Sequence, residues 1–126
     1  MREKISKNFT WSELCCPCGQ CKPVIDQDHI DKLQALRAEF GKPMIVTSWY
    51  RCLAYNEKLV AYGQAVSNSQ HFLGKATDIS IVGWRPSDRY RLLNFATRFG
   101  FSGIGIYLDF IHLDTREQDL TFWLGC

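Results

Sequence analysis

With 126 residues, 46% of them hydrophobic, and a formal charge of +2, the chain can build one modest core and carries no charge excess that would mark a nucleic-acid binder. It has no apolar run of the roughly 18 residues that a membrane-spanning helix requires. The opening MREKISKNFTWSEL lacks the apolar stretch of a signal peptide, so synthesis in the cytoplasm is expected, any export must use another route, and residues 1–126 are read as a single domain.

In chain order, NFTWSEL reads as a short helix capped by Thr10 or Ser12. CCPCGQC follows, with Cys15, Cys16, Cys18 and Cys21 close together; Cys52 and Cys126 lie far from it. The missing secretory signal argues against a disulfide framework. A four-cysteine zinc site usually separates two C-x2-C pairs by a longer loop, whereas here the pairs overlap. A turn shaped by Pro17 and Gly19, with mostly reduced thiols, is therefore expected. A cysteine-rich DNA-binding finger fails on the same spacing and on the lack of a basic stripe.

DQDHIDKLQALRAEFG is a helix in its periodicity: Asp26 or Asp28 caps it, Ile30, Leu33, Leu36 and Phe40 form its apolar stripe, and Gly41 stops it. His29, on the first turn, is expected to be a surface or packing residue rather than a ligand. Met44–Tyr50 is β-rich and follows a proline, so it reads as a strand. LAYNEKLVAYG is a further helix, ended by Gly63, and QAVSNSQHFLG a loop. KATDISIVG is a strand with Ala76, Asp78 and Ser80 on one face. RPSDRYRLLNFATRFG is a helix capped by Ser87 and closed by Gly100, burying Leu92, Phe95, Ala96 and Phe99. SGIGIYL, FIHLDT and DLTFWLG then read as short strands. Helices and strands mix without regular alternation, so the class is α+β.

The chemistry gathers around NSQHFLGKATDIS. Zinc accepts imidazole nitrogen and carboxylate oxygen, and a catalytic site takes three protein ligands. Gly74 lets the chain turn so that His71 and Asp78 meet. His112, in YLDFIHLDTR, is the remaining candidate, beside Asp109 and Asp114. On spacing alone the signal is weak, and a core histidine satisfied by the backbone with an aspartate capping a strand end is the commoner explanation.

The segments TSWYRCLAYNEKL, NSQHFLGKATDI and GIGIYLDFIHLDTR together resemble the M15 family of zinc peptidases, the D-alanyl-D-alanine carboxypeptidases and L-alanyl-D-glutamate endopeptidases of bacteria and their phages. Ser69, His71, Gly74, Ala76 and Asp78 fill one family motif, and Thr47, Ser48, Tyr50 and Arg51 another; the resemblance runs from about residue 26 to 116. It implies a small, mostly antiparallel sheet flanked by helices, of the hedgehog/D-Ala-D-Ala peptidase type, and one catalytic zinc held by His71, Asp78 and His112. It also implies a general base three positions before the last ligand, where Asp109 stands.

A flat strand would point residues 109 and 112 to opposite faces, so Asp109 serves only if the chain bends there. Asp114 shares the face of His112 without a bend and is the second candidate; its alternative role is to orient His112. Arg51 matches the family's arginine that holds a substrate carboxylate or an oxyanion. Ser69 either hydrogen-bonds substrate or caps its loop. Trp49 stands where relatives often have a small residue, and is expected to narrow the cleft or change substrate choice. The implied substrate is the peptidoglycan stem peptide, and the short loops favour an endopeptidase. The missing signal suits a monomeric phage or prophage lytic enzyme released at lysis. The competing expectation is a non-catalytic wall-binding or virion module on the same scaffold.

Overall fold

The computed structural model describes residues 3–63 and 69–125. The predicted loop over 64–74 therefore lies partly outside the described residues, as does Cys126. Helices α1 (Trp11–Leu14), α2 (Gln27–Phe40), α3 (Leu53–Ala61) and α4 (Pro86–Arg98) combine with strands β1 (Val46–Ser48), β2 (Ala76–Ser80), β3 (Gly103–Ile106), β4 (Phe110–Asp114) and β5 (Thr121–Leu124). The sheet order is β1-β2-β4-β3-β5, antiparallel throughout except for the β3–β5 pair. The chain is thus α+β with a mostly antiparallel sheet. None of its described helices is long and apolar enough to cross a membrane.

Local chemistry accounts for most of the boundaries. Glu13 accepts the backbone N–H of Thr10 at 2.8 Å, which makes Thr10 rather than Ser12 the first cap. Asp26 accepts the N–H of His29 at 2.8 Å, and Gly41 closes α2 in the left-handed region. In α4 the expected cap was Ser87, but Arg85 holds that place and Ser87 lies inside the helix. The reason is Pro86: proline suits the first helical position and forces the residue before it to be extended. The strand expected over Met44–Tyr50 shrinks to Val46–Ser48. Past Ser48 the backbone leaves the ladder, because Tyr50 N–H donates to the Leu14 carbonyl and Arg51 N–H to the His71 carbonyl, each at 3.1 Å.

The pleat sorts the strands into two faces. Ile79, Ile104, Ile111 and Leu113 are buried on one, with Leu33, Leu36 and Phe40 of α2 and Leu92 and Ala96 of α4 in the same core. His29 is fully buried there. Its Nε2 lies 2.8 Å from Thr77 Oγ1 and its Nδ1 3.2 Å from Thr115 Oγ1, so the packing expectation holds. Burial, the largest cause, pushes the His29 pKa down to about 3. Trp49 is also in this core, edge-on to Phe9 and His29, and so does not narrow any cleft.

Candidate metal centre

The opposite face of the sheet carries a row set by register. Asp78 pairs with His112, His112 with Gly105, and Gly105 with Trp123. Directly paired residues share a face, so the Asp78 carboxylate and the His112 ring are neighbours by construction. A Cβ on Gly105 would lie 2.6 Å from the Trp123 indole, so a side chain there would push Trp123 away from His112, whose ring it meets at 5.2 Å between centroids. Trp123 Nε1 also donates to Tyr107 Oη at 3.0 Å.

His71 reaches the row from a 3₁₀ turn, Gln70–Leu73, just before β2. Ser69 caps this turn by accepting the His71 N–H at 3.2 Å. Gly74 ends it with φ 71°, and a Cβ at that position would also collide with the Val24 carbonyl. The chain returns at once into β2, and His71 Nε2 comes within 3.2 Å of Asp78 Oδ2. His112 Nδ1 stands 2.9 Å from Asp78 Oδ1. One donor atom from each of the three residues lies within 4.8 Å of the others.

The hydrogen bonds behind the rings decide their tautomers. His71 Nδ1 meets the Trp49 carbonyl at 2.6 Å. A carbonyl only accepts, so the proton sits on Nδ1 and Nε2 presents a bare lone pair to Asp78. Burial lowers the His71 pKa, which keeps the ring neutral. Burial would raise the Asp78 carboxyl, but the two imidazoles beside it outweigh this and hold the group below the usual carboxylate range. A bare imidazole nitrogen and an ionised oxygen thus face each other, two acceptors that need a cation between them.

His112 has the same need. Its Nε2 lies 2.7 Å from Asp114 Oδ2 while its Nδ1 faces Asp78, so both ring nitrogens meet carboxylates. Without a cation the ring must carry two protons: burial lowers its pKa, but hydrogen bonds to Asp114 and Asp78 outweigh this and raise it. Two imidazoles and a carboxylate, with both rings oriented from behind, form the donor set that fits zinc.

The two candidate bases occupy different places. Asp114 is fully buried. Its Oδ1 accepts from Arg116 Nε at 2.8 Å, and its Oδ2 from Arg116 Nη2 at 2.6 Å and from His112. Burial works to raise its pKa, but the Arg116 and His112 hydrogen bonds outweigh it and hold the carboxyl low. Gly103 leaves the space this carboxylate occupies. Asp114 is therefore fully engaged by Arg116 and His112. Asp109 lies outside the donor cluster, exposed, in the bend between Tyr107 and Phe110 that joins β3 to β4. The flat-strand objection does not apply to it, because β4 begins only at Phe110.

Arg51 is buried, with Nη2 donating to Ser69 Oγ at 3.1 Å and Nε without a partner among the described residues. Ser69 thus caps its turn and also holds the guanidinium. Arg116 and Trp123 were missed from the sequence. Arg116 had a signal, an arginine two residues past Asp114 in an extended stretch; Trp123 had one in Gly103-x-Gly105, a strand that leaves room for a large neighbour.

No curated protein matches the chain. A family model described as Peptidase M15 matches residues 7–114, a span that contains all three donors, Arg51, Asp109 and Asp114. With that match added to the donor row, the chain belongs to the M15 peptidase family.

Proposed function

We propose that the chain is a zinc-dependent peptidase that hydrolyses peptidoglycan stem peptides, with the L-alanyl–D-glutamate bond as its preferred target. It would act as a monomer and as one catalytic domain, in the setting of phage or prophage lysis. The observation that carries this reading is the pair of facing acceptors, His71 Nε2 and Asp78 Oδ2, in a chain of the M15 family. His71 Nε2, Asp78 and His112 Nδ1 would hold the ion. Zinc bound there supplies a Lewis acid for the scissile carbonyl and a water nucleophile at neutral pH.

The chain's own groups do the rest. Asp109 takes a proton from the attacking water and passes it to the leaving amine. Its exposed place in a bend leaves the carboxylate free for that exchange, whereas Asp114 is fully engaged by Arg116 and His112. Arg51, with its Nε–H still to satisfy, holds a substrate carboxylate or the developing oxyanion, and Ser69 fixes its plane and borders the bound peptide. The short connections around the row favour a groove open at both ends, which an endopeptidase needs.

The test is digestion of purified peptidoglycan by the zinc-loaded protein, read by mass spectrometry. New free amino groups on D-glutamate are expected. Release of single terminal D-alanines would make the enzyme a carboxypeptidase, and no cleavage of any wall type would leave a wall-binding module.

A further inference from the structure

A second group of metal-ligating side chains lies away from this row. The sulfurs of Cys16, Cys18, Cys21 and Cys52 all lie within 4.8 Å of one another. The sequence suggested that Cys15 to Cys21 alone were too tight to wrap an ion. The structure changes the membership: Cys15 points to solvent, and the fourth thiol is Cys52, delivered from beyond β1.

We propose that these four cysteines form a closed, structural zinc site. A tetrahedral ion with bonds of about 2.3 Å to sulfur keeps its sulfurs about 3.8 Å apart. The separations in the structure are 3.7 Å for Cys16–Cys52, 3.4 Å for Cys18–Cys21 and 3.8 Å for Cys18–Cys52. Two disulfides would instead draw two pairs to about 2.05 Å. Backbone amides already aim at the sulfurs: Gln20 N–H meets Cys18 Sγ and Cys52 N–H meets Cys16 Sγ, each at 3.4 Å. Such donors stabilise thiolates. Gly19, at φ 70°, makes the turn that places Cys16, Cys18 and Cys21 on one side, and its N–H closes on the Cys16 carbonyl at 3.1 Å. An all-sulfur tetrahedral set selects zinc or iron; four protein ligands leave no open position, so the ion is structural and not catalytic.

The site also has a task. Cys52 follows Arg51 directly, and the segment from Trp49 to Arg51 grips His71 from two sides, through the Trp49 carbonyl on Nδ1 and the Arg51 N–H on the His71 carbonyl. Tying Cys52 to the Cys16–Cys21 loop fixes that segment against α1.

Metal analysis of the whole chain tests this independently of the peptidase reading. The wild type should hold about two zinc ions per chain and a His71→Ala/His112→Ala double variant about one. Cobalt loaded into the double variant should give the intense near-ultraviolet sulfur-to-cobalt absorption of a tetrathiolate. Cys52→Ser should lose that ion, while Cys15→Ser keeps it. If Cys52→Ser does not fold, the cobalt spectrum of the double variant decides alone. A double variant that binds no metal, binds iron in place of zinc, or has Cys16, Cys18, Cys21 and Cys52 locked in disulfides by alkylation mass spectrometry overturns the proposal. So does a Cys15→Ser variant that loses the ion.

Discussion

The two faces of the sheet use the same strands for opposite ends. On one face His112 meets the carboxylates of Asp78 and Asp114; on the other His29 meets the hydroxyls of Thr77 and Thr115. Both rings are buried. Hydroxyls can donate or accept, so they satisfy a neutral imidazole completely and leave nothing for a cation to do. Carboxylates only accept when ionised, so two of them around one ring create a deficit of positive charge. Burial alone therefore does not mark a ligand; the donor count of its neighbours does.

The largest test of this contrast removes a ring from the carboxylate face. His112→Ala should abolish peptidoglycan cleavage and leave the donor row without zinc, while His29→Gln should keep the ion. Equal zinc content in the two variants would erase the distinction between the faces. Next in size is the division of labour between the aspartates. Asp109→Asn should retain zinc and lose about 10²–10⁴-fold in turnover, the usual worth of a general base. Asp114→Asn should cost about 10–100-fold in zinc affinity, since it loosens the partner that orients a ligand. If Asp109→Asn stays fully active while Asp114→Asn does not, the roles are reversed.

A smaller effect is expected at Gly105. Gly105→Ala drives a methyl group into Trp123, and overpacking of this kind costs about 1–3 kcal/mol. Urea unfolding should show it, and an unchanged midpoint would mean that Trp123 does not fill that space. The last test is a pH slope, small within any one pH unit. The folded His29 stays unprotonated down to about 3, against an ordinary value of 6.5. The unfolded chain therefore takes up a proton that the folded chain refuses, and stability is lost as pH falls through that window. Within it the wild type should lose about 1.4 kcal/mol more per pH unit than His29→Gln. Parallel stability curves for the two proteins would show that His29 is not held neutral.

Local patterns in the sequence sufficed for the helices, the strand faces and the buried stripe of α2; in α4 Leu92 and Ala96 are buried as expected, while Phe95 and Phe99 are only partly so. The three donors were readable because two lie in β2 and β4, where period-two alternation assigns faces, and because their motifs resemble those of M15 peptidases. What was not readable depended on contacts between distant segments. Cys52 and the Cys16–Cys21 loop are neighbours only because the end of β1 folds back on α1, which no local spacing encodes. Trp49 looked like a cleft residue beside Arg51, yet it packs on Phe9 and His29. The pairing of Asp114 with Arg116 likewise depends on the path of the chain after β4.

The two histidines of the donor row are steadied in different currencies, and this bears on how the row tolerates mutation. His71 leans on the carbonyl of Trp49, a backbone atom that every residue at position 49 would provide. His112 leans on the side chain of Asp114, which in turn needs Arg116 and the bare Cα of Gly103. A single nucleotide change can remove any one of those three, but none can remove the carbonyl. Sequence drift can thus change the side chain at position 49 without removing the partner of the His71 ring, as long as the core still packs, while the support of His112 must be inherited as a set.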